Sequence, residues 1–234
     1  MRHMPHAQEH GRAFFGRRVA RGLKPRQQLL LATILPQLRL DLAAIPRDLR
    51  SLYPQPVCEV RLEVGFGGGE HLIAEAKANP ETGFIGVEPF VNGMAKTLAA
   101  ITAENIANIR LHSGDAWELL PRIAQGALAR LDLIQPDPWP KRRHWKRRFI
   151  QEHTIAEIGH VLRPGGEFRV TTDVADYAAW TLKHMLRSEL FEWTAECAND
   201  WRRPWSGFPG TRYEAKARRQ GREPCYLIFR RRPV

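Results

Sequence analysis

The chain has 234 residues, 43% of them hydrophobic, enough to bury the core of one large α/β domain or two small ones. Its 36 Lys and Arg against 25 Asp and Glu give a formal charge of +11, which points to an anionic partner; the plain alternative is a basic surface kept for solubility. Three widely spaced cysteines (Cys58, Cys197, Cys225) without a CxxC pair argue against a disulfide framework or a zinc site, and no apolar run approaches membrane-spanning length, so the expectation is a cytoplasmic protein with no metal and no membrane contact.

In chain order, residues 1 to about 26 carry seven Lys and Arg against Glu9 alone and few apolar positions, which predicts an arm ordered by its substrate rather than by packing. Gln27 to Leu42 is apolar at helical spacings (Leu30, Ile34, Leu38, Leu42), with Pro36 interrupting any long helix. Pro46, Pro54 and Pro56 mark a linker. The division is therefore a basic arm and helical lead-in over residues 1–56 and a main domain over 57–234.

From Val57 short apolar runs alternate with amphipathic ones. Strands are predicted at Val60–Gly65, Phe84–Glu88, Ile109–His112, 129–134 and Glu167–Thr172. Helices are predicted at Glu70–Ala78, Val91–Glu104, Ala116–Ile123, Arg147–Leu162 and Tyr177–Glu189. That alternation implies a parallel sheet with helices on both faces. Two last strands, Phe191–Cys197 and Cys225–Arg230, have no expected helix between them, which suggests an antiparallel pair at one edge. Residues 199–223 read as one long loop; its Trp201, Trp205, Phe208 and Tyr213 among arginines favour a functional loop over a disordered one.

Charge is unevenly placed. Val57 to Pro136 holds six Lys and Arg against ten Asp and Glu, whereas residues 201–234 hold ten against Glu214 and Glu223. An acidic core with basic flanks suits a small-molecule site framed by a polyanion-binding surface.

Glu63-Val64-Gly65-Phe66-Gly67-Gly68-Gly69 closes the first strand, where Gly65 and Gly67 would let the backbone turn close to a ligand. Glu70 stands where a dinucleotide fingerprint needs its third glycine, and no Gly-Lys-Ser/Thr follows, so NAD is disfavoured and a P-loop excluded. Glu88 ends the second strand, 25 residues after Glu63, where an acid meets ribose hydroxyls; Asp115 follows the third and could bind an adenine amino group. Three acids at successive strand ends suit a cofactor with ribose, adenine and a positive centre but no phosphate, a description S-adenosylmethionine fits. The competing structural roles are a helix N-cap for Asp115 and a paired strand charge for Glu63.

After the fourth strand comes Gln135-Pro136-Asp137-Pro138-Trp139-Pro140-Lys141, continuing through Arg142, Arg143, His144, Trp145, Lys146, Arg147 and Arg148. One acid clamped between prolines precedes six cations in eight residues. This segment, with Gly65–Glu70, Gly86–Glu88, Gly114–Ala116, Thr172-Asp173 and Thr211-Arg212-Tyr213-Glu214, resembles the bacterial tRNA (guanine-N7-)-methyltransferase family over roughly residues 57 to 231. The resemblance implies a Rossmann-like class I methyltransferase: a seven-stranded, mostly parallel sheet with an antiparallel edge strand and helices on both faces. It implies S-adenosylmethionine as cofactor, and as reaction the methylation of N7 of the guanine at position 46, in the tRNA variable loop. By the same resemblance Glu63, Gly65, Gly67, Glu88, Asp115 and Asp137 contact cofactor, with Asp137 also catalytic. Lys141, Asp173, Thr211, Arg212, Tyr213 and Glu214 contact substrate, and Arg143, His144, Trp145, Lys146, Arg147 and Arg148 interact with RNA. Gln135, where the family usually has an aromatic, and Trp145, where it has a small polar residue, depart from the pattern.

Guanine N7 has an in-plane lone pair and no proton to lose, so alignment and stabilisation of the positive charge left on the purine are the demands on the protein. Asp137 suits both. Asp173 could share contact with the base edge or merely cap the following helix, and Tyr213 or Trp139 could stack on an extruded base, Trp139 being equally suited to core packing. Rival readings are an RNA-binding module on a vestigial cofactor fold and a methyltransferase for an amine or a protein. The first is disfavoured by the full set of acids, the second by the basic flanks. No strand edge or apolar stripe asks for a second copy, so a monomer is expected.

Overall fold

The computed structural model describes Arg18 and residues 22–233. The basic arm expected over residues 1 to 26 lies largely outside the described residues. Pro25 opens α1 (Pro25–Thr33), where its missing N–H is no loss, and Pro36 lies in the single turn of α2 (Leu35–Leu38), so the lead-in helix is broken near the proline. The proline-rich stretch that follows is no loose linker. A 3-10 turn at Leu49–Leu52 buries Leu49 and, just beyond it, Tyr53, whose ring lies 2.3 Å from where a Cβ on Gly83 would stand.

The main run is β1 (Glu59–Val64), α3 (Glu70–Ala78), β2 (Thr82–Val87), α4 (Val91–Glu104), β3 (Ile109–His112), α5 (Ala116–Leu119), β4 (Leu128–Ile134), α6 (Glu152–Val161), β5 (Leu162–Thr172) and α7 (Ala175–Met185). It closes with β6 (Phe191–Trp193), α8 (Asn199–Arg202), α9 (Arg212–Arg219) and β7 (Cys225–Arg231). The seven strands form one sheet in the order β3-β2-β1-β4-β5-β7-β6. β1 to β5 pair in parallel, and β7 runs antiparallel between β5 and β6. The antiparallel pairing therefore sits at one edge of a mostly parallel seven-stranded sheet, as expected.

Period-two alternation along the strands explains the layering. On β2, Phe84 and Ile85 enter different apolar clusters: Phe84 joins Leu72, Met94 and Leu98 of α3 and α4, and Ile85 joins Leu131, Ile155 and Ile158 of β4 and α6. Chain order reverses between β1 and β4. In a doubly wound sheet such a switch point opens a crevice at the carboxyl ends of the strands, where Glu63, Glu88, Asp115, Asp137 and Asp173 all lie.

Two expectations need correction. The helix expected at Arg147–Leu162 begins only at Glu152, and Arg142–Arg147 form a 3-10 turn instead. The Gln151 side-chain amide donates to the carbonyls of Trp145 (2.8 Å) and Arg148 (3.2 Å), ending that turn, and Arg148 and Gln151 are extended. The long loop expected over 199–223 contains α8 and α9. Only Ala217 and Glu214 of α9 are buried, too little for a hydrophobic period, but Thr211 caps the helix by accepting the Glu214 N–H at 3.1 Å.

Candidate active site

A cavity of about 650 Å³ occupies the crevice at the strand ends, within the range of small-molecule sites. Of the residues singled out from sequence, Glu63, Gly65, Gly67, Glu88, Asp115, Asp137, Arg147, Asp173, Thr211 and Tyr213 line it. Its floor is the turn after β1, where Gly65 (φ +73°) and Gly67 (φ +56°) hold left-handed conformations that side chains resist. The turn is anchored to Glu88, whose carboxylate accepts the N–H of Gly67 at 2.6 Å through one oxygen and that of Phe90 at 2.8 Å through the other. Burial pushes the Glu88 pKa above the ordinary carboxylate value, in spite of those two hydrogen bonds. Each oxygen retains acceptor capacity, as a pair of ribose hydroxyls requires.

Glu63 is buried at the end of β1 and contacts Nδ1 of His71, on α3, at 2.8 Å. Burial pushes Glu63 up; although burial also disfavours a charged His71, the adjacent carboxylate holds the imidazole above its usual value. His71 in turn packs on Phe208, 5.4 Å between centroids, so the segment before α9 is tied to the cofactor side of the cavity. Asp115 does cap a helix, accepting the Trp117 N–H of α5 at 3.1 Å, and lines the cavity as well.

Asp137 stands exposed at the mouth, while the cavity walls strip part of its hydration and raise its pKa. It is bracketed by two non-glycine residues with positive φ, Gln135 (+51°) and Trp139 (+41°). Such conformations cost of order 1 kcal/mol or more each and persist only where the surroundings impose them. Gln135 is held by its N–H donating to the Thr171 carbonyl of β5 at 3.0 Å.

The far wall comes from the carboxyl end of β5 and from α9. Asp173 does not cap α7; its carboxylate pairs with Arg222, a cavity residue that sequence reading passed over. Tyr213 is half exposed and leans over the glycine turn, its Cε2 within 3.9 Å of where a Cβ on Gly67 would lie. The Arg212 guanidinium lies 4.9 Å from the Tyr213 ring centre. Arg212 and Glu214 face a neighbouring recess instead, with Glu70. Glu214 is buried and accepts from the Tyr226 hydroxyl and from Arg218. Lys216, also unforeseen, is an exposed cation on the cavity lip.

The basic run divides. Lys141, Arg142, Arg143 and Lys146 are exposed, and Arg147 lies over the Trp139 ring at 5.0 Å. His144 meets Trp139 edge to face, its pKa lowered by desolvation and by the cations of Arg147, Arg143 and Lys141. Arg148, by contrast, is fully buried and presents no side chain to a ligand, while Trp145 is half-buried and packs on Trp180 at 5.3 Å. The T-x-x-E spacing of Thr211 and Glu214, a capping-box signature, is the sequence signal that would have placed α9. No comparable signal marks His71.

A buried carboxylate with no cationic partner among the described residues (Glu88), beside a second held by His71, fits a ligand with hydroxyls and positive charge, which is the chemistry of S-adenosylmethionine. A family model described as a putative methyltransferase matches residues 58–227. The chain is 59% identical over 220 residues to a tRNA (guanine-N(7)-)-methyltransferase of Nitrobacter hamburgensis, covering 94% of this chain and 86% of that one. It is 55% identical over 228 residues to a protein of the same name from Bradyrhizobium diazoefficiens, covering 97% of each. Among solved structures, the 16S rRNA methyltransferase KamB superposes with a TM-score of 0.55 at 18% identity, over 79% of this chain and 91% of that one, a likeness of fold.

Proposed function

The chain belongs to the tRNA (guanine-N(7)-)-methyltransferase family, and from that membership we propose that it methylates N7 of guanine at position 46, in the variable loop of tRNA. The observation that carries the reading is the place of Asp137: on a strained, proline-clamped segment at the mouth of a cavity whose floor is lined by Glu63 and Glu88.

S-adenosylmethionine, when bound, supplies an electrophilic methyl on a positively charged sulfur. Glu88 would receive the ribose hydroxyls, Asp115 the adenine amino group, and Glu63 with the glycine turn would face the cationic end. N7 would accept the methyl on its own lone pair with no proton to lose, so the protein's task is alignment. Asp137 would stabilise the positive charge that methylation leaves on the purine as it develops. Asp137 also accepts from the N1 and N2 edge of the guanine, which turns N7 towards the methyl. Tyr213, exposed beside the glycine turn, stacks on the extruded base. Asp173 and Thr211 hold the substrate on the far wall, and Lys141, Arg143, Lys146 and Arg147 neutralise phosphates at the rim. We place the reaction in a monomer, acting on tRNA in the cytoplasm.

The test is transfer of labelled methyl to unmodified tRNA, followed by identification of the nucleoside. 7-Methylguanosine at the variable-loop position is expected, and Asp137→Ala should abolish its formation while leaving tRNA binding intact. Near-normal turnover by that variant, or a different methylated nucleoside, refutes the reading.

A further inference from the structure

We infer that Arg148 is a positioning residue for Asp137: a buried strut that fixes the Pro138–Trp139 backbone and does not touch RNA. The strut presupposes the role of Asp137 proposed above. Arg148 closes a run of six cations, but its side chain turns away from the others and is fully buried. Its Nε donates to the Pro138 carbonyl at 2.9 Å, and its Nη2 lies 3.5 Å from the Trp139 carbonyl. The guanidinium also pairs with Asp176 of α7.

The segment needs such a strut. Pro136, Pro138 and Pro140 have no N–H, so it cannot be held by a strand ladder. Gln135 and Trp139 hold backbone conformations that relax unless imposed. Gln135 is anchored to β5 through Thr171, and the Arg148 guanidinium is the anchor on the other side of Asp137. A planar guanidinium meets consecutive carbonyls with donors held in a fixed fork, whereas the three donors of an ammonium rotate on a flexible stem.

Its surroundings are built for a buried cation. The guanidinium carbon lies 5.1, 5.5 and 4.9 Å from the ring centres of Trp145, Tyr177 and Trp180. Nη1 has no hydrogen-bond acceptor among the described residues, and these three rings supply the electrostatic contact that an acceptor would. Tyr177, Trp180 and Asp176 all lie on α7, which starts two residues after Asp173. Arg148 thus ties the Asp137 segment to the helix that follows Asp173, setting the two acids of the cavity mouth relative to one another.

The experiment is steady-state methyl transfer to tRNA at several salt concentrations, with rates normalised to active sites by S-adenosylhomocysteine titration. Arg148→Lys should lower kcat at least tenfold and Arg148→Gln about a hundredfold. KM for tRNA, its salt dependence and S-adenosylhomocysteine affinity should stay within twofold of the parent. Arg143→Ala, on the exposed side of the run, should do the opposite: raise KM and flatten its salt dependence. A raised KM with a flattened salt dependence in Arg148→Lys would identify a phosphate contact and overturn the strut, as would an unchanged kcat. Should both Arg148 variants fail to fold, Asp176→Asn serves, because that side chain is 57% exposed and the change leaves the guanidinium enclosed by its three rings. It loosens the guanidinium, so kcat should fall severalfold at constant KM. An unchanged kcat, or a lowered KM from a cation freed towards RNA, overturns the inference. If Asp137→Ala abolishes transfer while the Arg148 and Asp176 variants turn over normally, the strut alone is wrong; if Asp137→Ala turns over normally, the reading beneath it is.

Discussion

Gly93→Ala tests how the cavity floor is held. Gly93 is buried in the first turn of α4, and a Cβ added there would lie 2.1 Å from the Gly67 carbonyl oxygen and 2.9 Å from its carbon. Both are backbone atoms, so the clash is not relieved by a rotamer change. Restoring ordinary packing distances moves the glycine turn by roughly 1 Å, enough to carry the Gly67 N–H out of hydrogen-bond range of Glu88. Overpacking of this kind costs about 1–3 kcal/mol. Breaking a hydrogen bond to a buried carboxylate adds about 1.5–3 kcal/mol, and the better helix propensity of alanine returns about 1 kcal/mol. The variant should melt roughly 5–15 °C lower. If the broken hydrogen bond is expressed fully at the site, S-adenosylhomocysteine should bind about 10- to 150-fold more weakly. Calorimetric titration beside a thermal melt measures both. Parent-like affinity in the folded variant would show that Gly67 and Glu88 do not shape the cofactor site.

Two further outcomes follow from charge. Arg143→Ala combined with Lys216→Ala removes one exposed cation of the basic run and one from the cavity lip. It should weaken tRNA binding and reduce the salt slope by about 0.7–0.9 for each phosphate no longer neutralised, as a filter-binding series would show. Because burial raises Glu88, the folded protein holds that proton more tightly than the unfolded chain. Its contribution to stability is therefore greatest below the ordinary glutamate pKa of about 4.3 and declines as pH rises through the raised value. Glu88→Gln should remove this decline, which melts between about pH 4 and pH 7 would detect.

Much of the fold was legible because the helices between strands are long enough to show their period. Glu70–Ala78, Val91–Glu104 and Ile109–His112 form the elements expected there. The failures have one physical source, side chains whose direction the local pattern does not encode. Arg148 has the same residue type as Arg142, Arg143 and Arg147, and only the extended backbone before α6 turns it into the core. Glu214, expected at the substrate, is buried because α9 presents it with Ala217 to the sheet and turns its cations outward. The strand expected over 129–134 did form, and its Arg130 and Asp132 are buried because they pair with each other and Glu75 on α3 reaches Arg130. His71 was missed because its partner Glu63 lies on a different element, where no spacing rule connects them. Trp145, a departure from the family pattern, gained a reason: it supplies one ring of the Arg148 enclosure.

The placement of charge also bears on how the reaction ends. Acids line the floor, with Glu88 lacking a cationic side-chain partner among the described residues, while Arg147, Lys216 and Arg222 stand at the mouth. On the proposed reading, the floor acids would hold the positive centre of the cofactor and the rim cations the RNA phosphates. Transfer would leave Glu63 and Glu88 facing a neutral group and set a cationic base among cations. Asp137 would be the mouth acid to meet it, since Asp173 is already held by Arg222. The arrangement that would draw the reactants together is therefore weaker towards both products, and Asp137, where the charge would arrive, would serve the transition state most.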